Sequence, residues 1–212
     1  MQLPSHSVTR WRQLWRALGA TECDDALYHE LLARYQAPER HYHTIDHLED
    51  MLVLWQRHEQ ALRPQHAAEV EIAIWFHDAI HDPLRGDNER RSAVWARSAL
   101  AAAAVPDDAC TRVELLIMAT RHADVPADGD AQILADLDLA ILAASPERFE
   151  EYEHQIRAEY AEVPVTTYRE KRREILERFL ARPRIFQTQL FNHACERQAR
   201  TNLEHSVEAL AR

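Results

Sequence analysis

Residues 73–83 read AIWFHDAIHDP and place an ionisable pair, His77-Asp78, in one of the most apolar stretches of the chain. Taking even a neutral polar group out of water without a partner costs roughly 2–7 kcal/mol, and an isolated carboxylate costs more. A divalent cation removes that cost, because it neutralises the carboxylate and accepts the imidazole lone pair. Such an ion needs further ligands, and two other stretches offer them. In RHYHTIDHLED (40–50), His43, His47 and Asp50 fall within about 40° of one another on a helix that turns about 100° per residue. In ILADLDLAILA (133–143), Asp136 and Asp138 lie about 200° apart, so one of them at most faces the core. Leu134, Leu137, Ile141 and Leu142 centre the apolar face near Asp138. Asp138 is therefore expected inside, and Asp136 toward solvent or behind the ligand shell. The plainer alternatives are a surface face of histidines at 40–50 and a buried acid at 138 paired with an arginine.

Helices must carry these residues, because every long segment has a 3.6-residue period and none alternates. The chain holds only three glycines, Gly19, Gly86 and Gly129, and is rich in residues that lose least on forming helix. Trp11, Leu14, Trp15 and Leu18 form a stripe closed by Gly19, and Leu27, Leu31 and Tyr35 form a second before Pro38. Helices are expected over about 44–63 and 65–80, the latter apolar nearly all round at its end and so central to the fold. Asp87 or Asn88 caps the next; others follow at about 107–121 and 131–144, after Ser145-Pro146, around Tyr168–Phe179, and from Pro183 to about Leu210. The expected fold is a single all-α domain of nine or ten helices.

Composition narrows the function. Hydrophobic residues make up 46% and charged residues 28%, as in ordinary globular proteins. A net charge of −10 argues against nucleic acid as a partner, since phosphate backbones want a basic face. No apolar run approaches the ~18 residues of a membrane span, and no signal pattern opens the chain. Cys23, Cys110 and Cys195 are odd in number and lack CxxC spacing, which predicts reduced thiols in a cytoplasmic protein. Nothing in the sequence fixes the oligomeric state.

In the order His47, His77-Asp78, Asp138 the chain resembles the HD superfamily of metal-dependent phosphohydrolases. The resemblance implies one HD-type helical bundle over residues 1–212, with these four residues holding one divalent ion. YHTIDHLED is similar to the signature YHNxxHxxD of cyclic-nucleotide phosphodiesterases, which implies His43 as proton donor to the leaving oxygen and His47 as ligand. His77-Asp78-Ala79-Ile80-His81 looks like the HDxxH of those enzymes. Over about residues 8–210 the chain resembles a bacterial group of HD phosphohydrolases of unassigned substrate, through RHYHTIDHL, WFHDAIHDP, DNERRSA, DLDLAIL and ERQARTNLE. Two features depart from these patterns. The purine-clamping Gln of the much longer mammalian enzymes has no placeable counterpart, and Tyr is usual in the bacterial group where His81 stands.

The chemistry expected is metal-assisted hydrolysis of a phosphoester or phosphoanhydride in a nucleotide or other small phosphorylated substrate. Two His and two carboxylates leave Mn²⁺, Mg²⁺, Fe²⁺, Co²⁺ and Zn²⁺ open. Asp78 holds the ion that activates water, and Glu89, one turn from Ser92, is placed to position that water or else to serve a charged helix start. His81 and His122 are candidates for substrate contact or for a second ion bridged by Asp78. Arg40, Arg121 and Arg172 are candidate phosphate forks. Tyr152, Tyr160 and Phe179 read as core, and specificity is expected in loops 81–88 and 122–131 and in the C-terminal helices. The rival readings are an HD-type di-iron oxygenase, a nucleotide-sensing module without turnover, and a structural metal site. The last usually recruits Cys, and none lies near these positions.

Overall fold

A computed structural model describes residues 6–127 and 129–211. Ten α-helices carry the described residues: α1 Val8–Ala17, α2 Asp25–Tyr35, α3 Ile45–Leu62, α4 Ala67–Phe76, α5 Asn88–Ala102, α6 Asp107–Ala119, α7 Gly129–Asp138, α8 Pro146–Glu159, α9 Val165–Leu180 and α10 Gln189–Leu210. A short 3-10 helix, Leu139–Ala143, continues α7. The described residues contain no strand, so the all-α expectation holds. None of these helices is long and apolar enough to cross a membrane.

Helix α4 is central because it has no polar face: Val70, Ile72, Ala73, Ile74, Trp75 and Phe76 are all buried, and a helix apolar all round must be covered all round. Helices α1, α3, α5, α6 and α7 pack against it. Each such side chain contributes about 1.5–3 kcal/mol by leaving water. Trp11, Trp15 and Tyr28 extend this core, with Trp11 edge-on to Trp75 at 5.1 Å. A second group, α8, α9 and α10, closes over the 3-10 helix, which touches both α8 and α10.

Local signals set the ends that matter for the site. Helix α3 starts only at Ile45, because the Thr44 hydroxyl accepts from the Asp46 amide at 3.3 Å and caps it. His43 therefore precedes the helix and is not on its stripe, and Asp50, which the stripe argument grouped with it, is exposed. Helix α4 stops at Phe76, leaving His77 as its last cap and Asp78 in the following turn. The expected continuation to residue 80 does not form. Arg40 holds this turn: its guanidinium donates to the carbonyls of His43 (2.9 Å), Asp78 (2.8 Å) and Ala79 (3.1 Å). The Ser92 hydroxyl adds to it by accepting from the Ile80 amide at 3.0 Å.

Asp136 does not face solvent. It is fully buried and accepts from the amides of Gln187 (2.9 Å) and Thr188 (2.7 Å) and from the Thr188 hydroxyl (2.7 Å). The helical-face argument fails here because α7 is enclosed on both sides: Ile133, Leu134, Ala135 and Leu137 are buried as well.

Candidate metal centre and cavity

The end of α4, the first turn of α3 and the end of α7 bring His47, His77, Asp78 and Asp138 together, with one ligand atom of each within 4.8 Å of all the others. His47 Nε2 lies 3.2 Å from His77 Nε2 and 3.3 Å from Asp138 Oδ1. Asp78 Oδ2 lies 3.0 Å from His77 Nε2 and 3.7 Å from His47 Nε2. Metal bonds of about 2.0–2.2 Å place neighbouring ligand atoms roughly 2.8–3.6 Å apart, so the spacing suits a single ion at the centre. The two imidazole nitrogens face each other at a separation where only one can offer a proton. His77 Nδ1 donates to the Ile74 carbonyl at 2.9 Å, which makes Nε2 the nitrogen that would bind a cation in place of a proton.

Electrostatics agree with geometry. Burial works against charge on Asp78 and Asp138, yet neighbouring imidazoles win and hold both below the usual carboxylate range. Burial likewise opposes charge on His77, but Asp78 beside it pushes it up to about 9. The residues present thus fit a divalent ion by donor type, spacing and surplus of negative charge.

Behind this cluster stands a second one that the sequence reading did not find. Glu159, the last residue of α8, has a buried side chain whose Oε2 accepts from His43 Nδ1 at 2.6 Å and lies 3.2 Å from His81 Nε2. Its Oε1 accepts from the amides of His41, Tyr42 and His43 at 2.9, 2.8 and 2.9 Å. His43 Nε2 then points toward Asp78, 4.0 Å from Oδ2. Burial lowers the basicity of His43, but the charge of Asp78 and the bond from Glu159 outweigh it and raise the pKa. Burial would raise Glu159, but the hydrogen bond from His43 and the nearby His81 imidazole hold it far below the carboxylate range. His43, His81 and Glu159 form a second group with donor atoms within 4.8 Å of one another.

A cavity of about 430 Å³ opens onto both clusters and is lined by His43, Asp78, Glu89, His122 and Asp138. His122 Nε2 contacts Asp138 Oδ2 at 2.8 Å, on the carboxylate oxygen opposite the one that meets His47. His122 reaches it from a left-handed backbone, φ 51°, a conformation that costs a non-glycine residue about 1–2 kcal/mol. His81 is absent from the cavity wall, its side chain being only 6% exposed behind His43. Tyr152, Tyr160 and Phe179, expected as core, form part of the wall, and none of residues 81–88 does. The arginines divide. Arg40 is committed to backbone carbonyls, and buried Arg172 to Glu153 and the Tyr152 hydroxyl, while the exposed Arg121 side chain on the cavity wall has no such partner among the described residues.

Comparison of the chain with family models, curated proteins and solved structures gives no match.

Proposed function

We propose that the chain is a metal-dependent phosphohydrolase of the HD type, acting on a small phosphorylated substrate. One observation carries the reading: a four-ligand cluster and a carboxylate-oriented histidine meet at the floor of one cavity. A divalent ion held by His47, His77, Asp78 and Asp138 would polarise a phosphoryl oxygen and lower the pKa of bound water.

The remaining work falls to the chain's own residues. His43 offers a proton at Nε2 to the leaving oxygen, because its Nδ1 is tied to Glu159 and its other face looks into the cavity. Glu159 fixes the ring and favours the protonated form, as a general acid requires. Glu89, on the cavity wall and without a hydrogen bond among the described residues, can orient water. His122 turns the Asp138 carboxylate so that Oδ1 faces the other ligands. The apolar wall of Leu142, Ile156 and Phe179 excludes bulk water from the reacting group.

Metal analysis of the purified protein, followed by a phosphatase screen over nucleotides and sugar phosphates with each metal restored, tests this. We expect one tightly held ion per chain, and loss of both ion and turnover in Asp78→Ala. Full metal stoichiometry in that variant would sink the assignment. A second reading, a di-iron oxygenase, draws on the His43–His81–Glu159 group as a second ion site. Oxygen uptake dependent on Fe²⁺, with no phosphate release, would favour it.

A further inference from the structure

We propose that the substrate carries a second anionic phosphoryl group beside the one to be cleaved, and that Arg121 and Arg178 read it. The proposal rests on the phosphohydrolase reading and narrows it to phosphoanhydrides and bisphosphates, as against simple monoesters.

Helix α9 supplies one side of the cavity. Lys171, Ile175 and Arg178 all line it, and steps of four and three residues place them on one stripe with a rise of about 10 Å from end to end. The two cations on that stripe differ. The Lys171 ammonium lies 2.8 Å from the exposed Glu174, whose carboxylate also feels the charge of Arg178. Arg178 and Arg121, both exposed cavity residues, make no side-chain hydrogen bond or ion pair among the described residues.

The residues that carry these two guanidiniums adjoin, along the chain, side chains that pack around the candidate metal ligands. Arg121 precedes His122, whose ring lies 5.9 Å from that of Phe179, the neighbour of Arg178. His122 in turn touches Asp138. Arg182, which donates to the His122 carbonyl, adds a third positive charge, and Asp124 is the acid facing that group. In a chain of net charge −10, this is a local reversal of sign.

Charge counting then selects the ligand. One phosphoryl group is already met by a divalent ion and by the His43 proton. Two further guanidiniums on the wall add positive charge beyond that pair, and a neighbouring phosphoryl group supplies anionic oxygens in a form that guanidinium forks match. The aromatic part of the wall, Tyr160 and Tyr168 with rings 6.2 Å apart, is left for the organic remainder.

Calorimetry on Mn²⁺-loaded protein, with metal content measured first in every variant, provides the test. The probes are methylenediphosphonate and methylphosphonate, neither of which can be hydrolysed. R121A/R178A should bind methylenediphosphonate about 10- to 100-fold more weakly, the range of charge-assisted hydrogen bonds, and methylphosphonate within about threefold of the native protein. R121K/R178K should recover part of the loss, and R197A, an exposed cation outside the cavity, should recover none because it loses none. Equal losses on both probes, or no loss on either, overturn the proposal. If the native protein binds methylphosphonate but not the diphosphonate, the proposal alone falls; if it binds neither, the reading of the site falls with it.

Discussion

His43 is the residue on which turnover should depend without the ion depending on it. It lies 4.0 Å from Asp78 rather than among the four ligand atoms, and its Nδ1 is occupied by Glu159. His43→Gln should keep the ion bound and lower turnover by about 10²–10⁴, the usual range for acid–base catalysis. The loss should shrink on a nitrophenyl ester, whose leaving group needs no proton. Equal losses on good and poor leaving groups, measured side by side, would remove the proton-donor role. Glu159→Gln makes a separable prediction about stability. The folded carboxyl is held far below its ordinary value of 4.5, so its contribution is fully present above about pH 4.5 and is lost as pH falls through and below that value. Urea midpoints from pH 7 down to about pH 3 should therefore fall more steeply in the native protein than in Glu159→Gln. At pH 7 the variant should be the less stable of the two, since the charged acceptor of three amides is gone. Parallel curves would show that Glu159 is not held as an anion.

At the scale of the element, the ends of helices do more than their faces. The chain leaves α4 at His77, so His77 and Asp78 converge instead of splaying by the ~100° of a continuing helix. Asp136 and Asp138 share α7 but divide the labour, one capping the start of α10 and one facing the ligand cluster. Asp138→Ala should abolish tight metal binding while the fold survives. Asp136→Ala should instead lower stability, because it strands buried donors at about 1–3 kcal/mol each, with at most a modest loss of metal affinity. A large loss of affinity confined to Asp136→Ala, measured by metal competition, would reverse these roles. This pair also marks where sequence stops being informative. The apolar periodicity of 133–143 pointed Asp138 inward, to the cavity edge where it meets the other candidate ligands, because burial of one helical face is a local pattern. It misplaced Asp136, because the arrival of α10 on the other face comes from a segment 51 residues away.

Across the whole molecule the same contrast recurs. The four candidate ligands stood out because His77-Asp78 interrupts an apolar run, an anomaly visible within a dozen residues. Glu159 gave no such signal: it ends a charged helix that also carries Glu147, Glu150, Glu151 and Glu153, and its hydrogen-bond partners lie 116 to 118 residues away. Tyr152 and Phe179 were read as core and are buried in it, yet they also border the cavity, and an apolar stripe looks the same in either setting. The cavity exists because α8 and α9 stand over Asp138, the 3-10 helix and the turns that carry His43 and Asp78 without filling the space between, a property of the assembled bundle.

The buried cap made by Asp136 links two distant parts of the chain. Its amide partners, Gln187 and Thr188, lead directly into α10, and Asp138 lies about half a turn further along α7. A movement of α7 large enough to release those amides would also swing Asp138 away from His47. A cation that fastens Asp138 thereby clamps the opening of α10, so the pace at which the Gln187 and Thr188 amides trade hydrogen for solvent deuterium becomes a built-in gauge of whether the centre is filled.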